Sequence, residues 1–340
     1  MIYRSKAPLR IGLAGGGTDV SPYSDMFGGA ILNTTLSLYA NATIEPLDSN
    51  QIIFRAIDRD EEQVFDWSKS IELDGKLDLL KGVYNRIQRD YGIGQQGFRL
   101  STFVDAPAGS GLGTSSTLVV AIIGAFAEML RLPLGEYDMA HYAYEIERKD
   151  LRLAGGKQDQ YAATFGGVNF MEFYGDDKVI VNPLRIKQQY LFELENNLLL
   201  YYTSTSRESA EIIKKQSRNV VEKNDSSIEA MHQLKEQARL MKEALLKGKL
   251  HEIGEILDFG FQQKRQMAEG ISNPLMEEIY ETAKEAGATG GKISGAGGGG
   301  FMIFYCPANT KYSVLKSLER FGGRHRSYQF TEHGLKTWTI

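Results

Sequence analysis

Cysteine is almost absent from this sequence, since only Cys306 occurs among 340 residues. One thiol can form neither an internal disulfide framework nor a cysteine-rich zinc site. The five histidines show no His-x-x-x-His spacing, so the sequence gives no support to a zinc-protease helix. Such low cysteine content is typical of proteins that fold in a reducing compartment.

The sequence also lacks an excess of positive charge and a long apolar run. Lysine and arginine number 39 against 43 acidic residues, which gives a net charge of −4 and no bulk basic field for nucleic acid or anionic membranes. The longest apolar run, 118–130, contains Glu128 and is shorter than the ~20 residues of a membrane-spanning helix. The N-terminus shows no signal-peptide core. We expect a soluble, cytoplasmic protein that binds neither nucleic acid nor membranes.

A third absence is the lysine of the familiar phosphate-binding loop, G-x-x-x-x-G-K-[ST]. The stretch DAPAGSGLGTSSTLVVAIIGAF (105–126) otherwise has the outline of such a loop, with Gly109, Gly111 and Gly113 followed by hydroxyl side chains and an apolar helical run. Glycines let phosphate oxygens approach the backbone, and the helix start offers unpaired N–H groups and the positive end of its dipole. A plain Ser/Thr helix cap is the alternative, but it needs fewer glycines. The stretch therefore favours an anion site.

Glycine, in contrast, is abundant and clustered. Many of the 36 glycines fall in LAGGGTD (13–19), PAGSGLGTSS (107–116) and GGKISGAGGGGF (290–301). Glycine clusters beside strand-like segments often hold the backbone close to a ligand. Three such clusters in one chain predict a shared ligand site.

The segments between the clusters predict alternating strands and helices. A change to Lys, Glu, Gln, Ala, Leu and Met after residues 185–200 predicts helices with solvated outer faces and a domain boundary, giving an N-terminal domain 1–190 and a C-terminal domain 191–340. We predict strands at 97–104, 166–173, 178–184, 197–203 and 301–306, and helices at 117–131, 136–151, 226–270, 273–287 and 309–322.

PAGSGLGTSS resembles the P-x-x-x-G-L-G-S-S signature of the GHMP kinases, with Thr114 at the first serine. KAPLRIGLAGGGTD (6–19) resembles the N-terminal motif of that family, and KISGAGGGGFMIFY (292–305) resembles its C-terminal glycine motif. The three motifs occur in the family's order and span most of the chain. The sequence is therefore identified as similar to the GHMP kinases.

This resemblance implies an α+β fold in two parts. The N-terminal part is mixed α/β with the glycine-rich phosphate loop, and the C-terminal part is helix-rich with a small sheet. ATP is implied as co-substrate and Mg²⁺ as cofactor, with the metal, backbone amides and helix dipole replacing the missing lysine. The residues implied to bind ATP are Pro107, Ala108, Gly109, Ser110, Gly111, Leu112, Gly113, Thr114 and Ser115.

The stretch YEIERKDLRLAGGKQDQYAATFGG (144–167) resembles the family segment that carries a magnesium-binding glutamate and a catalytic aspartate. Glu147 and Asp159 match these two positions. The resemblance implies that Ser115 and Glu147 hold the metal, and that Asp159 acts in catalysis with Arg10. Phosphoryl transfer needs both a cation on few protein oxygens and a carboxylate that orients the attacking hydroxyl.

Both carboxylates have simpler alternative roles. Glu147 could form a surface ion pair, although Glu145 and Lys149 already have the favourable i, i+4 order for one. Asp159 could cap the helix that follows Gly155-Gly156. The motif context favours the metal and catalytic roles.

The substrate end of the predicted site is less specific. Asp19 resembles the aspartate by which sugar kinases of the family hold substrate hydroxyls. AGGGTD and GGKQDQ most resemble the heptose-phosphate branch, which implies phosphorylation of D-glycero-D-manno-heptose 7-phosphate at its anomeric hydroxyl to the 1,7-bisphosphate. The sugar phosphate could bind to Arg10, Lys157 or Arg207, and the alternative is that each of them pairs with a nearby carboxylate. The implied substrate-binding residues are Thr18, Asp19, Gly295, Ala296, Gly297 and Gly298.

Three other functions were weighed. The nearest is another sugar kinase of the family, acting on fucose or galactose. A non-catalytic nucleotide- or sugar-binding regulator is disfavoured because Glu147 and Asp159 are both present. A dinucleotide oxidoreductase is disfavoured because no G-x-G-x-x-G follows a predicted strand with an acidic residue at the expected distance.

Overall fold

A computed structural model describes residues 1–204 and 209–340 as two β-sheets flanked by helices. The strands are β1 (Tyr3–Ala14), β2 (Gly29–Pro46), β3 (Gln51–Ala56), β4 (Glu61–Asp66), β5 (Phe98–Val104), β6 (Val168–Phe173), β7 (Val179–Pro183), β8 (Leu198–Tyr202), β9 (Gly290–Ile293), β10 (Phe301–Tyr305), β11 (Arg324–His325) and β12 (Lys336–Thr339). The helices are α1 (Tyr23–Phe27), α2 (Asp78–Asp90), α3 (Thr114–Leu130), α4 (Glu136–Glu145), α5 (Gln158–Phe165), α6 (Gln188–Asn197), α7 (Ser209–Val221), α8 (Asp225–Lys247), α9 (Ile253–Met267), α10 (Pro274–Glu285) and α11 (Thr310–Leu318). The predicted α+β class is confirmed.

The first sheet is organised around the long strand β2. One edge of β2 pairs with β1 along most of its length, while its other edge pairs first with β6 and then with β5. The strand order is β12-β1-β2-β5-β3-β4, with β6 and β7 joined as the predicted antiparallel hairpin. The apolar helix α3 packs against β1 and β2, and its residues 119–123 are fully buried. This packing places the start of α3 beside β1.

The second sheet has the order β11-β8-β10-β9, and its hairpin β9–β10 carries the third glycine cluster in its turn. Buried side chains of β1 pack with those of β8 and β10, so one apolar cluster joins the two sheets. The C-terminal strand β12 returns to the first sheet and pairs with β1. Residues 190 and 191 both lie within α6, and the predicted domain boundary there stays a prediction.

The predicted helices are present, with four local differences. The predicted helix 309–322 ends as an α-helix at Leu318 and continues as a 3-10 turn, Glu319–Phe321. α3 begins at Thr114 instead of 117, directly after Gly113. The predicted helix 136–151 ends as an α-helix at Glu145 and continues as a single π-helical turn, Ile146–Asp150. The segment 226–270 forms α8 and α9, which are separated at Gly248, because that glycine adopts the left-handed conformation that ends a helix.

Among residues 1–204 and 209–340, no helix is both long enough and apolar enough to cross a membrane.

Candidate active site

The three glycine clusters border one cavity of about 280 Å³. The Oγ of Ser294 donates a hydrogen bond to the carbonyl oxygen of Gly111 at 2.8 Å. A Cβ atom on Gly295 would lie only 2.7 Å from the Gly111 Cα, so the second and third clusters touch backbone to backbone. The first cluster reaches the same cavity through Gly17 and Asp19. The convergence predicted for the glycine clusters is therefore present in the fold.

Most predicted site residues line this cavity, although they come from both parts of the chain. Those that line it are Arg10, Asp19, Gly109, Gly111, Gly113, Thr114, Ser115, Glu147, Asp159, Gly295, Ala296 and Gly297. Among the described residues, Pro107, Ala108, Ser110, Leu112, Thr18 and Gly298 are not part of its lining.

Three of the side chains outside the lining are buried within the protein. Ser110 and Leu112 are fully buried. The Thr18 hydroxyl lies 2.9 Å from the carbonyl oxygen of Gly15, to which it donates, and it accepts the N–H of Ala30 at 3.1 Å. Ligand contacts by these residues stay predictions.

The phosphate loop owes its shape to Gly109, Gly111 and Gly113, whose φ angles of 71°, 85° and 77° lie in the left-handed region. α3 starts directly after Gly113, and within the described part of the chain no side chain caps its first turn. The hydroxyl cap considered as an alternative is therefore not formed. The unpaired N–H groups of this turn and the positive end of the helix dipole make a position suited to an anion.

Asp159 lies at the edge of this anion position, in the first turn of α5. A Cβ atom on Gly113 would lie 3.3 Å from Asp159 Oδ2. Arg10 on β1 donates from Nε to Asp159 Oδ1 at 2.7 Å, and its Nη2 lies 2.6 Å from the same oxygen. Its Nη1 donates to the carbonyl oxygen of Gly111 at 2.6 Å. Arg10 thus holds the carboxylate in one orientation beside the phosphate loop.

Asp19 occupies the start of α5, the position that was considered for Asp159 as a cap. Its Oδ2 accepts hydrogen bonds from the backbone N–H groups of Lys157 at 2.9 Å and Gln158 at 3.0 Å. Burial raises the pKa of Asp19, the Gln158 N–H opposes this shift, and the charge of Asp159 adds to it. The first glycine cluster is therefore tied to the helix that carries Asp159.

Glu147 is buried on the π-helical turn after α4, with 2% of its surface exposed. Such turns are rare and occur often at functional sites. The Oγ of Ser116 donates to Glu147 Oε1 at 3.0 Å, and the Nε2 of Gln160 donates to Oε2. Burial raises the pKa of Glu147, and the charge of Arg148 opposes that shift. The carboxylate is therefore held in a defined orientation inside the protein.

The hydroxyl group that donates to Glu147 belongs to Ser116, and the prediction that Ser115 holds the metal together with Glu147 stays a prediction. Successive side chains on a helix point about 100° apart, so only one of the two serines can face Glu147. Ser115 is exposed and lines the cavity. Glu145 and Lys149 form the predicted surface ion pair at 2.9 Å. Sequence reasoning missed Ser116 and Gln160 because nothing in the sequence indicates which way they point.

The basic residues divide into those that are paired and those that reach the cavity. The Lys157 ammonium lies 3.4 Å from Asp25 and 3.1 Å from Asp177, which is the carboxylate pairing considered as its alternative role. Arg207 lies outside the described residues. Two buried lysines were not predicted at all: Lys264, which lines the cavity, and Lys292, which lies behind it. Lys292 could have been noticed as the single charged residue of the third glycine cluster, GGKISGAGGGGF.

A second cavity of about 250 Å³ adjoins the first, and Leu153 lines both. Its walls are mainly apolar and include Leu79 of α2 and Leu118 of α3. An apolar cavity beside a phosphate position has the character that a nucleoside base requires.

Comparison with known proteins gives a family match in both parts of the chain. The GHMP kinase N-terminal domain matches residues 78–167, and the GHMP kinase C-terminal domain matches residues 241–323. The chain belongs to the GHMP kinase family. The resemblance drawn from the three glycine motifs is confirmed, and this GHMP kinase is a phosphotransferase that uses ATP.

Individual relatives match this GHMP kinase over almost its full length. A D-glycero-α-D-manno-heptose 7-phosphate kinase of Campylobacter jejuni is 46% identical over 337 residues, which are 99% of each chain. The crystal structure of a D-glycero-D-manno-heptose 1-phosphate kinase from Bacteroides thetaiotaomicron has a TM-score of 0.85 at 46% identity, covering 99% of both chains. An L-fucokinase/L-fucose-1-P guanylyltransferase of Bacteroides fragilis is 27% identical over 87% of this chain and 34% of its own length.

Proposed function

We propose that this GHMP kinase transfers the γ-phosphate of ATP to the anomeric hydroxyl of D-glycero-D-manno-heptose 7-phosphate, giving the 1,7-bisphosphate. The observation that carries the proposal is the position of Asp159, which borders the start of α3 and is held there by Arg10. Two relatives at 46% identity are named as kinases of this heptose phosphate series, which supports the choice of sugar.

Each part of the reaction has residues suited to it. The N–H groups at the start of α3 receive the phosphates of ATP, and the apolar cavity beyond Leu153 receives the base. Asp19, which also lines the cavity, accepts hydrogen bonds from sugar hydroxyls. Asp159 orients the anomeric hydroxyl towards the γ-phosphate and takes its proton as the new oxygen–phosphorus bond forms and the bond from the γ-phosphorus to ADP breaks. Arg10 keeps the Asp159 carboxylate in the orientation that this step needs.

Magnesium fits the oxygen groups on the other side of the phosphate loop. Within residues 1–204 and 209–340, no cluster of three or more histidine, cysteine or acidic side chains could hold a metal ion. Mg²⁺ bound to nucleotide needs fewer protein ligands than that, because phosphates and water complete its shell. We propose Glu147 and Ser115 as those ligands, with Ser116 and Gln160 orienting the carboxylate. The bound ion would neutralise the phosphate charge that a lysine neutralises in proteins with the G-x-x-x-x-G-K-[ST] loop.

Replacing Glu147 with glutamine should raise the Mg²⁺ concentration for half-maximal activity by about tenfold, because one of few charged ligands is lost. Ser115→Ala should cause a smaller rise through the loss of a direct ligand, and Ser116→Ala should act indirectly by releasing the carboxylate. The measurement is a magnesium titration at saturating ATP and sugar. Glu145→Gln is the control, since Glu145 lies two residues away in surface ion pairs. Unchanged titrations in all three site variants would place the ion elsewhere.

The substrate can be tested directly, because the two relatives are named for phosphates at different carbons. We expect ADP release with heptose 7-phosphate to exceed that with the free heptose by ~10²-fold in kcat/KM, the range that charged hydrogen bonds to a phosphate provide. Heptose 1-phosphate, fucose and galactose complete the panel. The position of the new phosphate is read by ³¹P–¹H NMR. Preference for a free hexose, or transfer to a non-anomeric oxygen, would reject the heptose assignment and leave a sugar kinase of another specificity.

A further inference from the structure

Two buried lysine ammonium groups lie beside the first glycine cluster. Lys264 of α9 donates to the carbonyl oxygen of Gly295 at 2.5 Å, and Lys292 of β9 donates to that of Gly12 at 2.6 Å. A Cβ atom on Gly16 would lie 3.5 Å from the Lys264 Nζ and 3.8 Å from the Lys292 Nζ. In the part of the chain that the structure describes, neither ammonium has a carboxylate within the 4.0 Å of an ion pair.

This arrangement differs from that of other buried lysines in the chain. Lys81 lies 2.5 Å from Asp74, and Lys157 lies 3.1 Å from Asp177. Buried charges usually have such partners, because removing an unpaired charge from water costs several kcal/mol. Lys264 lines the cavity instead, so its counter-charge can come from a ligand.

The charges around Lys264 are predominantly positive. The cations are Arg10, Lys264 and Lys292, and the carboxylates are Asp19, whose charge acts on Lys264, and Asp159, which pairs with Arg10, so the group has one positive charge in excess when all are ionised. Burial lowers the pKa of Lys264 to about 8, while the charge of Asp19 opposes that shift and Arg10 adds to it. Burial also lowers the pKa of Lys292 well below its usual value, and the charge of Lys264 adds to this effect. A dianion bound next to Lys264 would offset both effects.

We propose that Lys264 binds the phosphate group that the sugar substrate already carries, with Lys292 adding positive charge behind it. This inference rests on the proposed function. An ammonium group has three N–H donors, and the Gly295 carbonyl accepts one of them, so two remain for phosphate oxygens. The glycines and Asp19 around Lys264 form the sugar end of the cavity. The phosphates of ATP are proposed to lie at another part of the lining, between Glu147 and the start of α3.

The test compares two substrates in one variant. Lys264→Met removes the charge and nearly keeps the volume, and it should lower kcat/KM for heptose 7-phosphate about 30-fold, the size of a lost charged hydrogen bond. We expect free heptose to change less than about threefold, and the KM for ATP less than about twofold, because neither contacts Lys264. Lys311→Met is the control, since the Lys311 ammonium also donates to a backbone carbonyl, that of Asn196, but lies outside the cavity.

Two further measurements separate this role from a structural one. Loss of an unpaired buried charge should leave the melting temperature of Lys264→Met at or above that of the wild type. Because the pKa of Lys264 is about 8, kcat/KM of the wild type for heptose 7-phosphate should fall above about pH 8 as the ammonium loses its proton. That decline should be absent with free heptose and absent in Lys264→Met. The charged groups that face Lys264 are Arg10, Asp19 and Lys292.

Each other outcome overturns the inference in a distinct way. If Lys264→Met lowers kcat/KM equally for both sugars, the lysine donates to a sugar hydroxyl and not to the phosphate. A raised KM for ATP alone would assign it to the nucleotide. If the wild type prefers heptose 7-phosphate and Lys264→Met keeps that preference, the inference is wrong while the proposed function stands. If the wild type uses free heptose equally well, the proposed function is wrong and the inference fails with it.

Discussion

Replacing Asp159 with asparagine should lower turnover by 10²- to 10⁴-fold, the range that a positioned general base contributes. Asparagine has nearly the same shape but cannot take the proton of the anomeric hydroxyl. It also loses the charge that pairs with Arg10, whose Nε and Nη2 both contact the carboxylate. The KM for ATP should change less than about twofold, because the nucleotide is proposed to contact α3 and not Asp159. Steady-state kinetics with both substrates varied give the two values.

Asp90→Asn is the matched control, because Asp90 also pairs with arginines, Arg86 and Arg89, but outside the cavity. It should leave turnover within about twofold of the wild type while lowering stability by up to ~1 kcal/mol, as expected of a surface ion pair. Asp159→Asn turnover within a factor of two of the wild type would reject Asp159 as the base.

The second large effect is expected from Gly156→Ala. A Cβ atom at Gly156 would lie 1.9 Å from Asp19 Oδ2, so the carboxylate would have to leave the N–H groups at the start of α5. The displaced carboxylate would lose its proposed hydrogen bonds to the sugar hydroxyls, and two such charged bonds at about 2 kcal/mol each correspond to ~10³-fold in kcat/KM for the sugar. The kcat/KM values for free and for phosphorylated heptose should fall by similar factors, since Asp19 is proposed to bind ring hydroxyls. The measurement is kcat/KM for both sugars at saturating ATP.

Two comparisons test that the loss acts through Asp19. Gly175→Ala should be tolerated, because the nearest atom to its Cβ would be 3.4 Å away. Asp19→Ala should lower kcat/KM for both sugars. Adding Gly156→Ala to it should lower kcat/KM little further, since the effects of two substitutions that remove the same interaction are not additive. A full additional loss in the double variant would show that the methyl group disrupts the site by another route.

Much of the fold was predictable because its signals are local. The alternating strand 97–104 is β5, the apolar run after the phosphate loop is α3, and the predicted hairpin is β6–β7. Asn273 starts α10 as expected, and its side chain accepts the N–H of Met276 at 3.1 Å. These features depend on hydrogen bonds and side-chain periodicity within a few residues.

Parts of the site were predictable for the same reason. Left-handed glycines at 109, 111 and 113 are needed wherever a loop turns this tightly into a helix, so the phosphate position follows from adjacent residues. The carboxylates at 147 and 159 follow from the resemblance of 144–167 to a family segment, and both line the cavity. Their roles in metal binding and catalysis are what the proposed experiments test.

By itself, the sequence determined the family, the α+β class, the order of the main elements and the loop that suits an anion. Tertiary structure alone decided which side chains meet. Asp19 binds the start of a helix 138 residues later, and the Ser116 hydroxyl donates to Glu147. Lys264 reaches the cavity with no carboxylate partner among the residues that the structure describes. The physical reason is that a side chain's direction and neighbours depend on how distant elements pack. No local propensity or spacing contains that information.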